Sequence, residues 1–399
     1  MYDYQKGYLE IKGILSDGFG NLRQTVIKNL SHLIISLTML IRTHRGWYGR
    51  LSLMGIARVM KTEGNVKTRY KRLSRFLDNQ QFQMSDLTLP LMNILVKEKD
   101  INFLPLIVDQ TTIGDVQVIT GSYPYNGRSI PLAIATFEYG KITRSQNYLE
   151  ETFLSKMADC LPEGRKVVWI MDRGYGKVFL IKSCYSSGWF FIIRGRRETI
   201  VEYTKDGKKQ RKGLGRLKHK QGKPIRYCNV LYHNKEKVKV DIIVYREKGF
   251  KEPWFLIVPA GCQDILPTET VVQWYRRRMN IEVTFRDFKS HLGVRAISLK
   301  VRKSDRLNRL LSVMVLVYIF LLILGESNIG IKLRKEVEIV RSKCRHGTKR
   351  TLSVLSIALM AISDSFLFSR TQLIKVLVYY FRKMVEGKWE FYFYRLAKA

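Results

Sequence analysis

The sequence predicts an α/β protein in which a mixed sheet is flanked by helical regions at both ends of the chain. Residues 1 to about 95 show helical periodicity. From about residue 101, apolar runs bounded by turn residues indicate strands, and these then alternate with helices, a pattern typical of a mixed α/β sheet. After about residue 268 the chain is again helical in periodicity, and it is basic.

In the N-terminal region, two short helices with a brief turn are predicted. Ser52 can cap "LMGIARVM" and Asn65 can cap "VKTRYKRLSRFL". The second helix is strongly basic and includes Arg69, Arg72 and Arg75. A basic second helix fits a helix-turn-helix-like reader of DNA, in which these arginines contact the nucleic acid. A solvated basic face on an ordinary helical bundle fits the spacing equally well.

The middle of the chain is predicted to form the sheet. "FLPLIVDQTT" is an apolar run that ends in Asp109, and "RKVVWIMDRGYG" contains a second run that ends in Asp172. Between them, "VQVITGSYPY" and "RSIPLAIATFEYG" are separated by Asn126-Gly127, which indicates a hairpin. "SQNYLEETFLSKMADCL" and "KVFLIKSCYSSG" are predicted helices, and "WFFIIRG" is a predicted strand.

The two aspartates are candidate metal ligands because each ends a predicted buried strand. Ligand sites in open α/β sheets lie beyond the carboxyl ends of strands. Magnesium prefers carboxylate oxygens and keeps positions open for substrate phosphate. Two such ions can stabilise the attacking and leaving oxygens in phosphoryl transfer. A single aspartate after a strand is also a common turn residue, so a third carboxylate is needed to strengthen this interpretation.

The segment that follows the predicted strands is unusually basic. Residues 194–226 contain 13 lysines and arginines against 3 acidic residues, with several glycines. We predict a β-rich basic insertion over 196–252, in which 194–226 is too basic and glycine-rich to form a packed core. Its charge, including Lys208, Lys209, Arg211 and Lys212, is expected to bind a polyanion backbone.

The third carboxylate lies on a helix predicted to begin near Thr268, in "PTETVVQWYRRRMNIEVTFRDFKSHLG". At roughly 100° per residue, Tyr275, Arg278, Glu282 and Lys289 fall within about 60° of one another. An apolar stripe runs beside them: Trp274, Ile281, Phe285, Phe288 and Leu292. Glu282 is therefore placed to face a cleft. The alternative is a surface Arg278–Glu282 ion pair, worth only about 0.3–0.5 kcal/mol.

The C-terminal part begins with the most apolar run of the chain, Ser312–Gly325. This run is shorter than the roughly 20 apolar residues needed to span a bilayer. It predicts a buried core helix and no membrane partner. The remainder, residues 326–399, is predicted to be basic and helical.

The charge of the whole chain indicates a polyanionic partner. The 399 residues include 70 lysines and arginines and 34 acidic residues, a net charge of +36. Such a surplus fits nucleic acid or an anionic membrane surface, and a basic protein of no special affinity is the alternative. The cysteines are scattered singly, without zinc-ligand spacing, which favours a reducing, cytoplasmic environment. The N-terminus lacks the pattern of a signal peptide.

A family resemblance rests on the spacing Tyr275-x2-Arg278-x3-Glu282-x6-Lys289. It resembles the signature of one large group of bacterial insertion-sequence transposases of the DDE type. Asp109 after a strand and "DRGYG" at Asp172 resemble the first two acidic motifs of that group. "KTRYKRLSRFL" and the helix ending "LLILGE" resemble its N- and C-terminal regions. Many relatives have Trp after the signature arginine, where this chain has Met279; this position lies off the row of signature residues, so little effect on the site is expected.

The resemblance implies an RNase H-like catalytic core in which Asp109, Asp172 and Glu282 are the catalytic residues and bind two Mg²⁺ ions, with Mn²⁺ as a substitute. Tyr275, Arg278 and Lys289 would contact DNA phosphates. The implied reaction is cut-and-paste transposition: cleavage of the terminal inverted repeats and joining of the 3′-hydroxyl to target DNA, often after a hairpin step. The implied partner is double-stranded DNA, bound by a homodimer, in the bacterial cytoplasm and on the nucleoid.

The resulting domain prediction has four parts. Residues 1–95 form a helical DNA-binding region, residues 100–195 and 253–325 the core, residues 196–252 the insertion and residues 326–399 the C-terminal region. Two other functions compete with an active transposase. One is a catalytically silent DNA-binding regulator derived from a transposase, although the acidic residues are all present. The other is a basic RNA-binding protein, which the order of the acidic motifs does not support.

Overall fold

The computed structural model describes residues 3–43, 51–96, 103–299, 301–345 and 348–388. In the N-terminal part the elements are helices: α1 (Tyr4–Gly18), α2 (Gln24–Thr43), α3 (Leu53–Val59), α4 (Val66–Leu77) and α5 (Ser85–Leu95). Ser52 caps α3 and Asn65 caps α4 through their side-chain oxygens, which confirms both predicted helix starts. The predicted start of the core at residue 100 lies outside the described residues.

The predicted sheet follows. Its first strands and helices are β1 (Phe103–Ile113), β2 (Val116–Tyr125), β3 (Arg128–Phe137), α6 (Gln146–Ala158), β4 (Lys166–Met171), α7 (Val178–Ser186) and β5 (Phe190–Arg194). Its later strands are β6 (Ile200–Lys205), β7 (Lys208–Gly213), β8 (Ile225–Tyr232), β9 (Val238–Tyr245) and β10 (Trp254–Pro259). Asn126 and Gly127 both adopt positive φ, as a tight hairpin turn requires, and the predicted β2–β3 hairpin is confirmed.

The described strands form a single ten-stranded mixed sheet in the order β3-β2-β1-β4-β5-β10-β9-β8-β6-β7. β1, β4 and β5 are parallel neighbours, whereas the β1–β2–β3 pairings and those among β5, β10, β9 and β8 are antiparallel. The mixed α/β class is thereby confirmed. Residues 196–252 do contain strands, and these strands extend the central sheet through β9 and β10.

One detail of the insertion prediction is wrong. The basic, glycine-rich stretch 194–226 was expected not to pack, yet Val201, Leu214 and Leu217 are buried in it. Packing on one face of the sheet explains the difference. Val201, Leu214 and Leu217 belong to the same apolar core as Val230 and Tyr232 of β8, so the few apolar side chains of this basic stretch are buried together.

The C-terminal half is helical: α8 (Thr268–Arg276), α9 (Met279–Arg286), a π-helical turn (Asp287–His291), α10 (Lys303–Glu326), α11 (Asn328–Val337), α12 (Val354–Ser363) and α13 (Arg370–Val385). The sequence predicted one continuous helix over 267–293, and this prediction is wrong. Arg277 and Arg278 donate their N–H groups to carbonyls three residues back, which tightens the chain between α8 and α9. In the remaining part, Arg345 and Thr348 form an isolated antiparallel β-bridge, although the sequence predicted a helix here.

Helix α10 contacts the N-terminal helices, the sheet and the C-terminal helices. Its neighbours include α2, α4, β3, α12 and α13, and its most apolar 18-residue segment is fully buried. Polar side chains in its first turns are satisfied by distant backbone. Asn308 accepts from the Met84 N–H and donates to the Ile134 carbonyl, and Arg309 donates to the Leu77 and Phe82 carbonyls. The predicted buried core helix is confirmed by this burial, and the hydrogen bonds offset the cost of removing its polar side chains from water.

Two helices, α2 and α10, are long and apolar enough by length and composition to cross a membrane. Both lie mostly inside the protein. In the most apolar 18-residue segment of each helix, 72% is buried for α2 and 100% for α10. Their hydrophobicity is therefore accounted for by packing in the core.

The two faces of the sheet have separate apolar cores. Ile107, Ile170 and Ile192 pack on one face with residues of α8 and α9, among them Trp274 and Ile281. The alternate strand residues, such as Leu106, Val108 and Trp169, face the larger core that includes α6, α7 and α10. Helices α8 and α9 therefore cover the face toward which every second residue of β1 and β4 points.

Candidate active site

The sheet register places Asp109 and Asp172 side by side. β1 and β4 are parallel, and the last residues they pair are Val108 and Met171. Asp109 and Asp172 directly follow that pair on neighbouring strands, which lie roughly 5 Å apart. Asp109 does not end its strand as predicted, because β1 continues to Ile113 in its hairpin with β2. It marks instead the point at which the parallel pairing ends.

Helices α8 and α9 bring three signature residues to the two aspartates. The Tyr275 hydroxyl donates to Asp172 Oδ1 at 3.4 Å. Arg278 Nη1 donates to Asp109 Oδ2 at 3.0 Å, and its Nη2 donates to Glu282 Oε1 at 2.8 Å. One guanidinium thus bridges two of the three predicted carboxylates, and the third lies beside Asp109. The predicted acidic residues meet where the parallel pairing of β1 and β4 ends.

Arg278 is not part of a surface ion pair. Its side chain is 5% exposed, compared with 17% for Asp109 and 47% for Glu282. The tight turn between α8 and α9 contributes to this placement, since a residue in such a turn advances about 120° instead of 100°. The Arg278 side chain lies inside the site, whereas the Glu282 side chain lies at its solvent-exposed side. The Arg278–Glu282 pair of the alternative interpretation is present at 2.8 Å, but it is not a pair of two exposed side chains, because Arg278 is buried and also binds Asp109.

The pKa values in the site are set by burial and by the neighbouring carboxylates. Burial raises the pKa of Asp109 to about 6; Arg278 opposes the rise, and Asp172 and Glu282 add to it. Burial also raises the pKa of Tyr275 to about 12, so its hydroxyl is a hydrogen-bond donor at neutral pH. Burial lowers the pKa of Arg278, but Tyr275, Asp172 and Asp109 outweigh it, and the pKa is raised overall. The site holds excess negative charge that one arginine only partly offsets.

Lys289 lies in the π-helical turn and reaches toward β1. Its Nζ donates to Thr111 Oγ1 at 2.5 Å, two residues beyond Asp109 on the strand. Burial, followed by repulsion from Arg295, lowers the pKa of Lys289. The π turn changes the angular position of Lys289 relative to a regular helix, and turns of this kind are frequent at functional sites. All four signature residues therefore lie near the point where the parallel pairing of β1 and β4 ends.

A buried ion pair fixes the end of the helix that carries Glu282. Arg128, at the start of β3, donates Nε to Asp287 Oδ2 at 2.5 Å, and the Tyr318 hydroxyl donates to the same oxygen at 3.0 Å. Asp287 is fully buried. Its two partners lie on β3 and α10, so this carboxylate ties the π turn to the sheet and to the central helix. The sequence offered no signal for its role, because its partners are distant in the chain.

A second polar chain supports Asp109 from the other side. The Gln110 N–H donates to Asp109 Oδ1 at 2.8 Å, and the Gln110 side chain accepts from Gln146 Nε2 at 3.2 Å. Gln146 also donates to Glu150 Oε1, whose other oxygen accepts from Lys177 Nζ at 2.7 Å. Glu150 is buried in the first turns of α6. Lys177 directly follows the "DRGYG" motif, so that motif is anchored to α6 as well as to β4.

The donor set suits a hard divalent cation. Carboxylate oxygens are the ligands that magnesium prefers. The hydroxyl of Tyr175, the tyrosine of "DRGYG", is buried and has no hydrogen-bond partner within the described part of the chain. Among the described residues, however, no three acidic, histidine or cysteine side chains stand at metal-binding spacing. Arg278 lies between Asp109 and Glu282, so both can bind one cation only if its guanidinium shifts.

The arginines predicted to contact DNA on α4 are only partly available. Arg69 Nε donates to the Thr62 carbonyl at 2.9 Å, and Arg72 Nε donates to Asn29 Oδ1 at 2.9 Å. Arg75 is exposed. With Lys28, Arg72 and Arg75 line an open cleft of about 710 Å³ between α2 and α4. Residues 44–50, within the predicted DNA-binding region 1–95, lie outside the described residues.

The four cations predicted to contact DNA in the insertion lie on β7. This strand is at one end of the sheet and pairs with β6 alone among the described strands. Lys208, Lys209 and Arg211 are exposed, and Arg211 also donates to Asn234 and pairs with Glu202 at 3.7 Å. Lysines on an edge strand also prevent edge-to-edge pairing with other sheets. The structure separates these residues from the carboxylates by several strands.

Comparison with known proteins supports a DDE transposase. Residues 125–320 match the family model described as a transposase DDE domain. The match includes Asp172, Tyr275, Arg278, Glu282 and Lys289, whereas Asp109 lies before its first residue. Among curated proteins, no relative of the chain was found. The place of Asp109 in the site therefore rests on the register of β1 and β4 and on its contact with Arg278.

Proposed function

We propose that the protein is a DNA transposase that cleaves the ends of an insertion sequence and joins the freed 3′-hydroxyl to target DNA. The observation that carries the proposal is the three-way contact of Arg278 with Asp109 and Glu282, beside Asp172. Signature residues on a late helix thereby meet acidic residues from two early strands. A net charge of +36 supplies the attraction for the DNA backbone.

In this proposal Asp109, Asp172 and Glu282 hold two Mg²⁺ ions, or Mn²⁺ as a substitute. The bound ions would supply Lewis-acid stabilisation of the attacking and leaving oxygens. Tyr275 and Arg278 orient the carboxylates and contact the phosphate. Lys289 contributes a further positive charge toward the strand backbone, because its ammonium lies next to β1 at Thr111.

The finer features of the proposal follow the resemblance. The order β3-β2-β1-β4-β5, antiparallel on one side of β1 and parallel on the other, supports an RNase H-like core. We propose a cut-and-paste reaction on double-stranded DNA, with terminal inverted repeats as one substrate and target DNA as the other. We also propose that a homodimer assembles on the DNA, in the bacterial cytoplasm at the nucleoid and away from membranes.

The experiment is cleavage of labelled duplexes taken from the DNA on either side of the coding sequence, with Mg²⁺. Strand cleavage that depends on Mg²⁺ and on Asp172 supports the proposal. The Asp172→Asn protein is the control, since it retains the basic surface and changes one carboxylate to an amide. Cleavage by that variant at the rate of the unaltered protein would disprove the assignment of the site.

The second candidate is a catalytically silent DNA-binding regulator derived from a transposase. One observation favours it: Arg278 fills the space between Asp109 and Glu282, where a shared cation would bind. A regulator would bind the element ends but would not cleave them with any divalent ion. The same cleavage assay, run beside a binding assay on the same duplexes, separates the two functions.

A further inference from the structure

A strongly basic cleft opens directly beside Asp172. It has a volume of about 770 Å³ and lies between the end of β4, the end of β5 and the loop that precedes β10. Its cationic lining residues are Arg173, Arg194, Arg196, Arg197, Arg246 and Lys251. The acidic ones are Asp172, Glu198 and Glu252. We name this feature the Asp172 cleft.

Several of these cations are available to a ligand. Arg173, Arg196 and Lys251 are exposed, and their side chains make no hydrogen bond or ion pair within the described parts of the chain. Arg194 has only a long contact with Glu252, at 3.9 Å, and Arg246 donates to the carbonyl of Phe250. Cations gathered in a concave site without partners repel one another, so an anionic ligand is favoured.

The size of the cleft decides what kind of nucleic acid fits. Its volume is that of a pocket for a small ligand. A duplex is too wide for it, since the major groove of B-DNA alone is about 12 Å across. A single strand is flexible and can follow a narrow basic groove. The apolar lining residues are Pro253 and the buried Phe255, and the exposed aromatic ring among the lining residues is the imidazole of His219.

We propose that the Asp172 cleft binds the phosphodiester backbone of a single DNA strand that separates from the duplex next to the carboxylates. The proposal rests on the proposed transposase function, because that function places DNA at Asp172. The arginines and the lysine supply this binding through their charge, and stacking of a base on His219 is tolerant of sequence, so the binding is independent of sequence. The cleft thus differs in role from the basic strand β7, whose lysines lie on the open edge of the sheet.

The test compares two variants of the full-length protein that lose the same charge. The cleft variant is R173Q/R196Q/K251Q, and the control is K208Q/K209Q/K212Q on β7. Binding is measured by fluorescence anisotropy at two salt concentrations, without divalent ions. The probes are a blunt random duplex and the same duplex with a single-stranded tail of about ten nucleotides, within the range of about 4–16 that single-strand sites cover.

We expect the unaltered protein to bind the tailed duplex at least about tenfold more tightly than the blunt one. The cleft variant should lose this preference, and its slope of log K against log salt on tailed DNA should fall by about 2, from three phosphate contacts on a single strand. The β7 control should keep the preference. The charge-retaining variant R173K/R196K should bind like the unaltered protein, which guards against a loss caused by misfolding.

Three results would overturn the proposal. They are no preference for tailed DNA in the unaltered protein, a preserved preference in the cleft variant, or a loss of the preference in the β7 control equal to that in the cleft variant. Failure of R173K/R196K to bind tailed DNA would also count against a charge-based site. Cleavage is scored separately. A protein that cuts element ends without a preference for tails disproves the cleft alone, and one that prefers tails but never cuts disproves the proposed function.

Discussion

Arg278 and Asp109 are 169 positions apart in the chain and are joined by a hydrogen bond of 3.0 Å. The guanidinium is nearly excluded from solvent, and it also binds Glu282. This contact locks helices α8 and α9 onto the end of the parallel strands. It gives Arg278 a role that its position in the signature did not reveal: it is the internal counter-charge of the acidic site. The phosphate contact predicted for it remains a prediction.

Replacing any one carboxylate by its amide should abolish strand cleavage. We expect Asp109→Asn, Asp172→Asn and Glu282→Gln each to reduce cleavage at least about a thousandfold, because each removes a charged ligand of the proposed ions. Binding to element ends should change little. Cleavage and gel-shift assays on the same duplex measure both. Normal cleavage by any of the three variants would remove that residue from the site.

Removing the counter-charge should destabilise the protein in a way that a divalent ion reverses. In Arg278→Ala the largely buried Asp109 keeps the hydrogen bond from the Gln110 N–H but loses its cationic partner beside the other carboxylates, at a cost of about 3 kcal/mol. We expect added Mg²⁺ to raise the melting temperature of this variant more than that of the unaltered protein. Arg276→Ala is the matched control, since Arg276 pairs with Glu247 on the outside of the same helix.

Arg278 and Lys289 are also predicted to contact phosphate, and salt dependence tests this. Loss of each phosphate contact should reduce the slope of log K against log salt by roughly one. The measurement is DNA binding by Arg278→Ala and Lys289→Ala over a salt series. If Arg278→Ala changes neither cleavage nor the salt slope, its role is limited to holding the helix.

The raised pKa of Asp109 predicts a specific dependence of stability on pH. The folded protein holds this proton up to about pH 6, whereas an unfolded aspartate has lost it near 3.8. Between those values the native state binds more protons, so this group lowers stability as pH rises. The free energy of unfolding of Asp109→Asn, minus that of the unaltered protein, should therefore increase by about 2–3 kcal/mol from pH 4 to pH 7.

Urea unfolding in the presence of a chelator measures that difference. Asp115→Asn is the control, because the side-chain hydrogen bond with Lys303 lowers the pKa of the exposed Asp115. A difference for Asp109→Asn that stays constant over this pH range would show that the carboxylate titrates as in an unfolded chain.

The buried pair of Arg128 and Asp287 predicts a large loss of stability. Arg128→Met leaves the fully buried Asp287 with the Tyr318 hydroxyl and a long contact to His291, and we expect a cost of about 3–5 kcal/mol. Thermal unfolding measures it. The comparison is the pair of Lys141 and Glu138, in which the Lys141 side chain is 67% exposed, and Lys141→Met should cost under about 1 kcal/mol. Similar losses for both would mean that the buried pair is not a structural anchor.

Helix α4 should distinguish the element's own ends from random DNA. Substitution of Arg69, Arg72 or Arg75 by alanine should weaken specific binding more than non-specific binding, with Arg75 the clearest case because it is exposed. Neutralising Lys208, Lys209, Arg211 and Lys212 should weaken both about equally and flatten the salt dependence. Competition binding at two salt concentrations tests both. An equal loss on both duplexes for the α4 variants would make that helix an ordinary solvated basic face.

Much of the local structure was predictable from the sequence because it depends on neighbouring residues. The caps at Ser52 and Asn65, the Asn126-Gly127 hairpin and the buried α10 all follow from short-range patterns, and the structure has them. The strand after which Asp172 appears was predicted in the same way. The candidate carboxylates were named from these patterns and from a spacing of four residues on one helix.

The tertiary structure decided what those residues contact. The register of β1 and β4 places Asp109 beside Asp172, and no local pattern encodes a register between strands that are distant in the chain. The tight turn between α8 and α9 and the burial of Arg278 depend on packing against the sheet, which overrides the regular helix that the periodicity predicted. The Asp172 cleft likewise gathers cations from three separate loops, because folding brings together charges that the sequence keeps as much as 78 positions apart, from Arg173 to Lys251.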